Sequence, residues 1–380
     1  MPAQKTVRPK STPAVSAIFS CLYHATEPIT KQEVAKQTKL SLPTIYQGFS
    51  TLEDMGLIEA GEDRSSTGGR RAQTFAVARK GIAAIGVSIT GHSVRTVACN
   101  LFGERLTGLY LKRALPKVRT AAALGKAIAA ATDEMVALLA EREIRAVGVG
   151  VAVPSALDPA SGRLLNTSVL RLKETSVTAD ELTRELALPA GVFNDANCGG
   201  FSQCFPQIED ASFAYLSLER GVGGAIIIDG RPFEGPHGTS GEFGHICIEP
   251  GGKTCTCGKA GCLEAYCSSD VLSDEQGCTL DEFFARIAKG NTRTQDVLDT
   301  YIGHLARGIQ SIHTMLGVDV ALGGELASYL DPYFEKISTA VSAIDPFPTG
   351  ETCVLRTKHP THGVPIGAAQ LMAARFIESV

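Results

Sequence analysis

The stretch Gly241-Glu242-Phe243-Gly244-His245, followed nine residues later by Cys255-Thr256-Cys257-Gly258-Lys259-Ala260-Gly261-Cys262-Leu263-Glu264, sets one imidazole and three thiols in the order H-x9-C-x-C-x4-C. Three sulfurs and one imidazole match a closed tetrahedral zinc site, and four protein ligands leave no position for a reacting water, so the ion is expected to be structural. Gly251, Gly252, Gly258 and Gly261 let so short a loop wrap an ion. The metal reading also suits the eleven cysteines of the chain. Their number is odd, and no apolar signal-peptide core follows the polar, basic N-terminus, so a reduced, cytoplasmic compartment is expected rather than a disulfide framework.

Outward from this loop, strands and helices alternate, which argues for α/β layers. Ala83–Ile89, Val94–Asn100 and Thr107–Arg113 read as strands, and Thr120–Glu141 as an alanine-rich helix with Leu124, Ile128, Met135 and Leu138 on its apolar side. The alternating Val and Gly of Ala146–Val153 read as a buried strand. After Asn194-Asp195-Ala196-Asn197 a second lobe begins, with strands at Ala214–Leu218 and Gly224–Ile228 and helices near Thr279–Lys289 and Thr294–Leu316. A last helix, about Gly367–Glu378, is expected to return to the first lobe.

The first eighty residues have another character. Val15, Ile18, Phe19 and Leu22 recur at helical spacing; Thr30-Lys31-Gln32-Glu33 reads as a capping box; Ser41 caps a third helix with Ile45, Phe49, Leu52 and Met55 along one stripe, ended by Gly56. Three short helices with a tight turn make a helix-turn-helix, or a plain small bundle. Strands at Leu57–Ala60 and Gln73–Val77, separated by a polar tip with Arg64, Arg70 and Arg71, favour a winged helix. Arg70 and Arg71 can reach phosphates or a narrow minor groove, or sit in an ordinary solvated loop. Ser41, Thr44, Tyr46 and Gln47 stand early on the third helix, where they can contact bases or phosphates. Residues 1–80 carry eleven Lys/Arg against seven Asp/Glu, and the rest 25 against 33, a basic head on an acidic body. With 380 residues, 44% hydrophobic and 20% charged, the chain reads as two or three globular domains. No apolar run reaches the roughly 18 residues of a membrane span.

On the wing segment Ser66-Thr67-Gly68-Gly69-Arg70-Arg71 and, above all, on the Gly241–His245 and Cys255–Glu264 segments, the chain resembles the repressor branch of the ROK family of repressors, open reading frames and sugar kinases. The resemblance covers nearly the whole length. It implies an α/β fold class: an N-terminal winged helix-turn-helix (residues 1–79) plus a two-lobed actin-like (ribonuclease H-like) sugar-kinase fold. The first lobe spans 80–197 and is completed by a C-terminal helix at 365–380; the second lobe, with the zinc loop, spans 198–364. It implies sugar contacts at Asn166, Asn194, Asp195, Glu242, His245 and Glu264, with Asp195 at the position of the kinases' general base. Zinc on His245, Cys255, Cys257 and Cys262 would turn the other imidazole nitrogen to the cleft. Cys247 and Cys267 fall at positions the family does not use.

Phosphoryl transfer needs glycine-rich turns whose amides face phosphates. The family's Asp-x-Gly-Gly-Thr is here Ser88-Ile89-Thr90-Gly91-His92, and its Gly-Thr-Gly is Glu219-Arg220-Gly221. Leu322-Gly323-Gly324-Glu325 survives on the adenosine side. An intact sugar side beside a damaged ATP side is the pattern of a sensor. The expected function is thus a sugar-responsive transcriptional regulator without catalysis, a homodimer or homotetramer binding double-stranded operator DNA and a sugar or sugar phosphate, with no membrane insertion. Two rivals stand beside it: an active sugar kinase, and a regulator controlled by a protein effector.

Overall fold

The structure is a computed structural model, and it describes residues 12–64, 72–115, 117–167, 169–206, 211–347 and 350–380. The head opens with α1 (Pro13–Tyr23), β1 (Ile29–Thr30), α2 (Lys31–Thr38) and α3 (Leu42–Asp54). Each helix starts where a side-chain oxygen takes an orphan amide: Thr12 for α1, Thr30 for α2 and Ser41 for α3. At Thr30 the box is reciprocal, with Glu33 N donating to Thr30 Oγ1 (3.2 Å) and Thr30 N to Glu33 Oε2 (2.6 Å). The buried stripe Ile45, Phe49 and Leu52 packs toward α1, while Met55 is only half-buried. Strands β2 (Ile58–Arg64) and β3 (Ala72–Val77) form the wing, and β1 adds a third strand in the order β1-β3-β2. Gly61–Arg64, expected in the hairpin tip, instead prolong β2 past an irregularity between Ala60 and Asp63. Arg70 and Arg71 lie outside the described residues.

The body repeats one topology twice. In the first lobe, β4 (Ile82–Ile89), β5 (Ser93–Cys99), β6 (Arg105–Ala114), α4 (Ala121–Ala140), β7 (Arg145–Val153), α5 (Ala179–Thr183) and β8 (Ala190–Asn194) build a sheet in the order β6-β5-β4-β7-β8. Its first three strands are antiparallel and its last two parallel to β4. After α6 (Asp195–Cys204) come β9 (Phe213–Leu218), β10 (Val222–Ile228), β11 (Arg231–Pro232), α7 (Glu264–Cys267), α8 (Leu280–Ala288), α9 (Thr292–Leu316), β12 (Val320–Gly323), α10 (Glu325–Leu330), α11 (Phe334–Ser342) and β13 (Val354–Arg356). Their sheet, β11-β10-β9-β12-β13, has the same order and the same switch from antiparallel to parallel. Among the described residues no helix is long and apolar enough to cross a membrane.

Helix α4 buries Leu124, Ile128, Met135 and Leu139 against the first sheet, and each such side chain contributes about 1.5–3 kcal/mol. The buried position at the end of the stripe is Leu139, with Leu138 half-buried. The last helix, α12 (Gly363–Ser379), lies on the other face of that sheet. The glycines of the Val-Gly alternation make this possible: a Cβ on Gly150 would stand 2.0 Å from Ala368 O, and one on Gly86 1.9 Å from Pro365 O. Helix α12 also packs on α6, so the boundary drawn at 197/198 falls inside a helix shared by both lobes. The head docks on the first lobe. Tyr23 donates from its hydroxyl to Leu101 O (3.0 Å) and stacks on Phe102 at 5.2 Å, and Arg145 reaches Met55 O (2.9 Å).

Candidate effector cleft and metal centre

Strands β7 and β8 run parallel and end together, at the carboxyl edge where ligands of open α/β sheets bind. Just beyond β7, Ser155 gathers the edge: its carbonyl accepts from Asn194 Nδ2 (3.2 Å) and its hydroxyl from Asn166 N (3.1 Å). Asn194 Oδ1 in turn caps α6 by accepting from Asn197 N (2.9 Å). Asn194 is thereby fixed in place by two bonds of its own, and Asn166 lies exposed beside it. Ser155 carries no sequence signal beyond its place after a strand and a proline.

Asp195 opens α6, half-buried, with Oδ1 accepting from Ala196 N (2.8 Å). Burial, followed by the negative charges of Glu219 and Glu242, pushes its carboxyl up to about 7. It is therefore divided between acid and carboxylate at neutral pH, able to donate to or accept from a hydroxyl.

The four expected metal ligands converge. Their ligand atoms all lie within 4.8 Å of one another, with Cys257 Sγ to Cys262 Sγ at 3.7 Å and Cys255 Sγ to His245 Nδ1 at 3.8 Å. A tetrahedral ion with Zn–S bonds of about 2.3 Å requires sulfur–sulfur edges of about 3.8 Å, so the donor set fits such an ion. Bonding through Nδ1 would leave His245 Nε2 free on an exposed ring. Glu264 ties this loop to the second sheet: Oε2 accepts from Val222 N (3.1 Å), while Oε1 accepts from Thr256 Oγ1 (2.6 Å) and lies 3.5 Å from Cys255 Sγ. Its carboxylate braces the metal loop in addition to any ligand contact. Glu242 is exposed at the lip, close enough for its charge to act on Asp195.

The opposite side of the cleft is tight. The β4–β5 turn is closed by Thr90, whose Oγ1 accepts from the amides of Ser93 (3.0 Å) and His92 (3.3 Å). Amides that a phosphate loop would present are consumed within the turn. Ser88, Thr90 and Arg95 of the first lobe, Asp195 of α6, Glu219 of the second lobe and Gly363 at the start of α12 share a cavity of only about 20 Å3.

In the head, Ser41 Oγ and Thr44 Oγ1 lie 2.8 Å apart, so both are engaged at the cap, whereas Tyr46 is 58% exposed and Gln47 is exposed. Lys31, not singled out in the sequence, stands 5.0 Å from the Tyr46 ring centre, which adds a cation to the same face. Its place in the first turn after a capping box is the signal that could have found it.

A winged helix packed on a duplicated two-lobed α/β body, with a His/Cys3 cluster at the cleft, defines a protein built on the sugar-kinase fold and fitted with a DNA-binding type of head. Residues 84–375 match the ROK family model, and the chain belongs to that family. It is homologous to the family's transcriptional regulators: it is 27% identical over 329 residues to the DNA-binding transcriptional dual regulator NagC of Escherichia coli, covering 79% of this chain and 77% of that protein. In fold it is similar to a ROK family transcriptional regulator described as a homolog of the E. coli MLC protein (TM-score 0.75, 19% identity, 96% of both chains covered). It is also similar to a ROK family glucokinase from Streptomyces griseus in complex with glucose and AMPPNP (TM-score 0.63, 22% identity, 76% of this chain and 98% of that one).

Proposed function

We propose that the protein is a cytoplasmic, sugar-responsive transcriptional repressor of carbohydrate genes. The observation that carries this reading is the asymmetry of the cleft. Its sugar side sets Asn194, Glu242 and His245 around a half-ionised Asp195, while beyond Asp195, which also lines it, the phosphate side is closed by Thr90 and narrowed to a cavity of about 20 Å3. Asn166 and Glu264 complete the proposed sugar contacts. Zinc on His245, Cys255, Cys257 and Cys262 stiffens the loop that carries Glu242 and Glu264, and enters no chemistry of its own. Operator DNA meets Ser41, Thr44, Tyr46 and Gln47 of α3 and Arg70 and Arg71 of the wing, in a dimer or tetramer that matches a two-fold site. A sugar that closes the lobes shifts the head through the Tyr23–Phe102 and Arg145–Met55 contacts.

One observation supports a second reading. An acid poised near 7 suits a general base, so Asp195 could still serve sugar phosphorylation. A thermal-shift screen of the full-length protein against sugars and sugar phosphates, with and without Mg·ATP, separates the two. A shift with one sugar, indifferent to ATP and lost in Asp195→Ala, supports the sensor. A shift that grows with ATP, or product formation, restores the kinase.

A further inference from the structure

Arg95 and Glu219 face one small cavity from opposite lobes. Arg95 stands on β5 of the first lobe, and Glu219 follows β9 of the second. Arg95 Nε is buried with no hydrogen-bond partner, and among the described residues neither side chain enters an ion pair or a side-chain hydrogen bond. A buried guanidinium N–H without an acceptor is costly, and one facing an unpaired carboxylate across a gap between two lobes has an evident way to relieve that cost. The two charges already sense one another: burial raises the Glu219 carboxyl, Arg95 partly offsets that rise, and Glu325 adds to it. The cavity does not favour an anion as its occupant, because Asp195 and Glu219 set two acids against its single cation.

We propose that Arg95 and Glu219 are positioning residues that pair across the cleft when the lobes close, an internal bridge standing where the phosphates of a nucleotide would lie in a kinase of this fold. The pair joins the lobes without a second ligand, and Glu219 repels the triphosphate that the cleft no longer uses. The inference rests on the effector-driven closure proposed above and gives that closure a molecular contact. Glu219 is linked to the sugar side through Asp195, whose carboxyl its charge raises.

A charge-swap cycle in the full-length protein tests the pair. Arg95→Glu, Glu219→Arg and the double swap are compared by hydrogen exchange over residues 88–95 and 219–224 of the free protein, which reports closed excursions. Their affinity for D-glucose, N-acetyl-D-glucosamine and D-xylose is measured by calorimetry. Each single variant is expected to exchange faster at both segments and to weaken whichever probe binds the parent by about 5- to 150-fold. The swap is expected to recover both readouts, which a merely structural role would not allow. Singles that exchange like the parent, or a swap impaired by the sum of the two singles, would overturn the pair. If no probe sugar binds the parent, the sugar reading falls and the exchange cycle alone decides the bridge. Should a charge-reversed chain fail to fold, Arg95→Gln, Glu219→Gln and their double serve instead: a real pair makes the double no worse than either single, and additive losses refute it.

Discussion

Replacing Asp195 by Asn tests the electrostatics of the cleft. The carboxyl rises from 3.8 to about 7, first through burial and then through Glu219 and Glu242. A carboxyl that holds its proton more tightly when folded contributes stability that is full below about pH 4 and is lost as pH climbs through about 7. At complete burial that rise corresponds to about 4 kcal/mol. Asp195 is only half-buried, and solvent screening reduces the expectation to about 2 kcal/mol. Asparagine keeps the shape and the oxygen that accepts from Ala196 N, but carries no charge at any pH. The variant should therefore melt like the parent near pH 4 and a few degrees above it at pH 8, about 2–5 °C for an effect of this size. Melting curves of both proteins across that range, without ligand, are the assay. A difference that does not grow with pH, or a parent that gains on the variant as pH rises, would refute the assignment of a raised, charge-crowded carboxyl.

The remaining expectations concern the metal, the packing and the head. Metal analysis should find about one zinc per chain, and Cys262→Ser should lose it together with thermal stability, since a closed four-ligand site does not tolerate a missing thiolate; full retention of metal in that variant would contradict the ligand set. Gly150→Ala puts a methyl 2.0 Å from the Ala368 carbonyl of α12, and the overpacking should cost about 1–3 kcal/mol or more in a denaturation experiment, whereas Gly251→Ala, with no atom within 4 Å, meets only backbone strain at its positive φ. Arg70→Ala combined with Arg71→Ala should weaken binding to duplex DNA of any sequence and reduce the slope of log affinity against log salt by about 2; an unchanged slope would take the wing off the phosphates.

What the sequence disclosed was local. The Thr30 capping box, the α3 stripe apart from Met55, and the H-x9-C-x-C-x4-C spacing each lie within a short span of chain, and each was matched where it was expected. Helix α6 was missed because Asp195-Ala196-Asn197-Cys198-Gly199-Gly200 has poor helix propensity. The fold holds it through tertiary packing, with Gly199 against the Tyr215 ring and Gly200 against Ala225 and Ile227. Helix α12 begins at Gly363, four residues early, because Pro365 falls in its first turn, where proline is tolerated. Arg95 read as one more strand residue, since its partner across the cavity is 124 positions away on the other lobe. The engagement of Asn194 with Ser155, and of Glu264 with Val222 and Thr256, was invisible for the same reason. Those bonds depend on where two sheets end, and no spacing records it.

The most direct test of the central claim is operator affinity with and without effector. A duplex selected by the full-length protein from a random pool, titrated in the presence of the sugar that shifts its melting, should show its affinity changed by about 5- to 150-fold, with Asp195→Ala insensitive to that sugar. An operator affinity unchanged at saturating sugar would contradict the sensor, and would leave a DNA-binding protein whose cleft answers to something else.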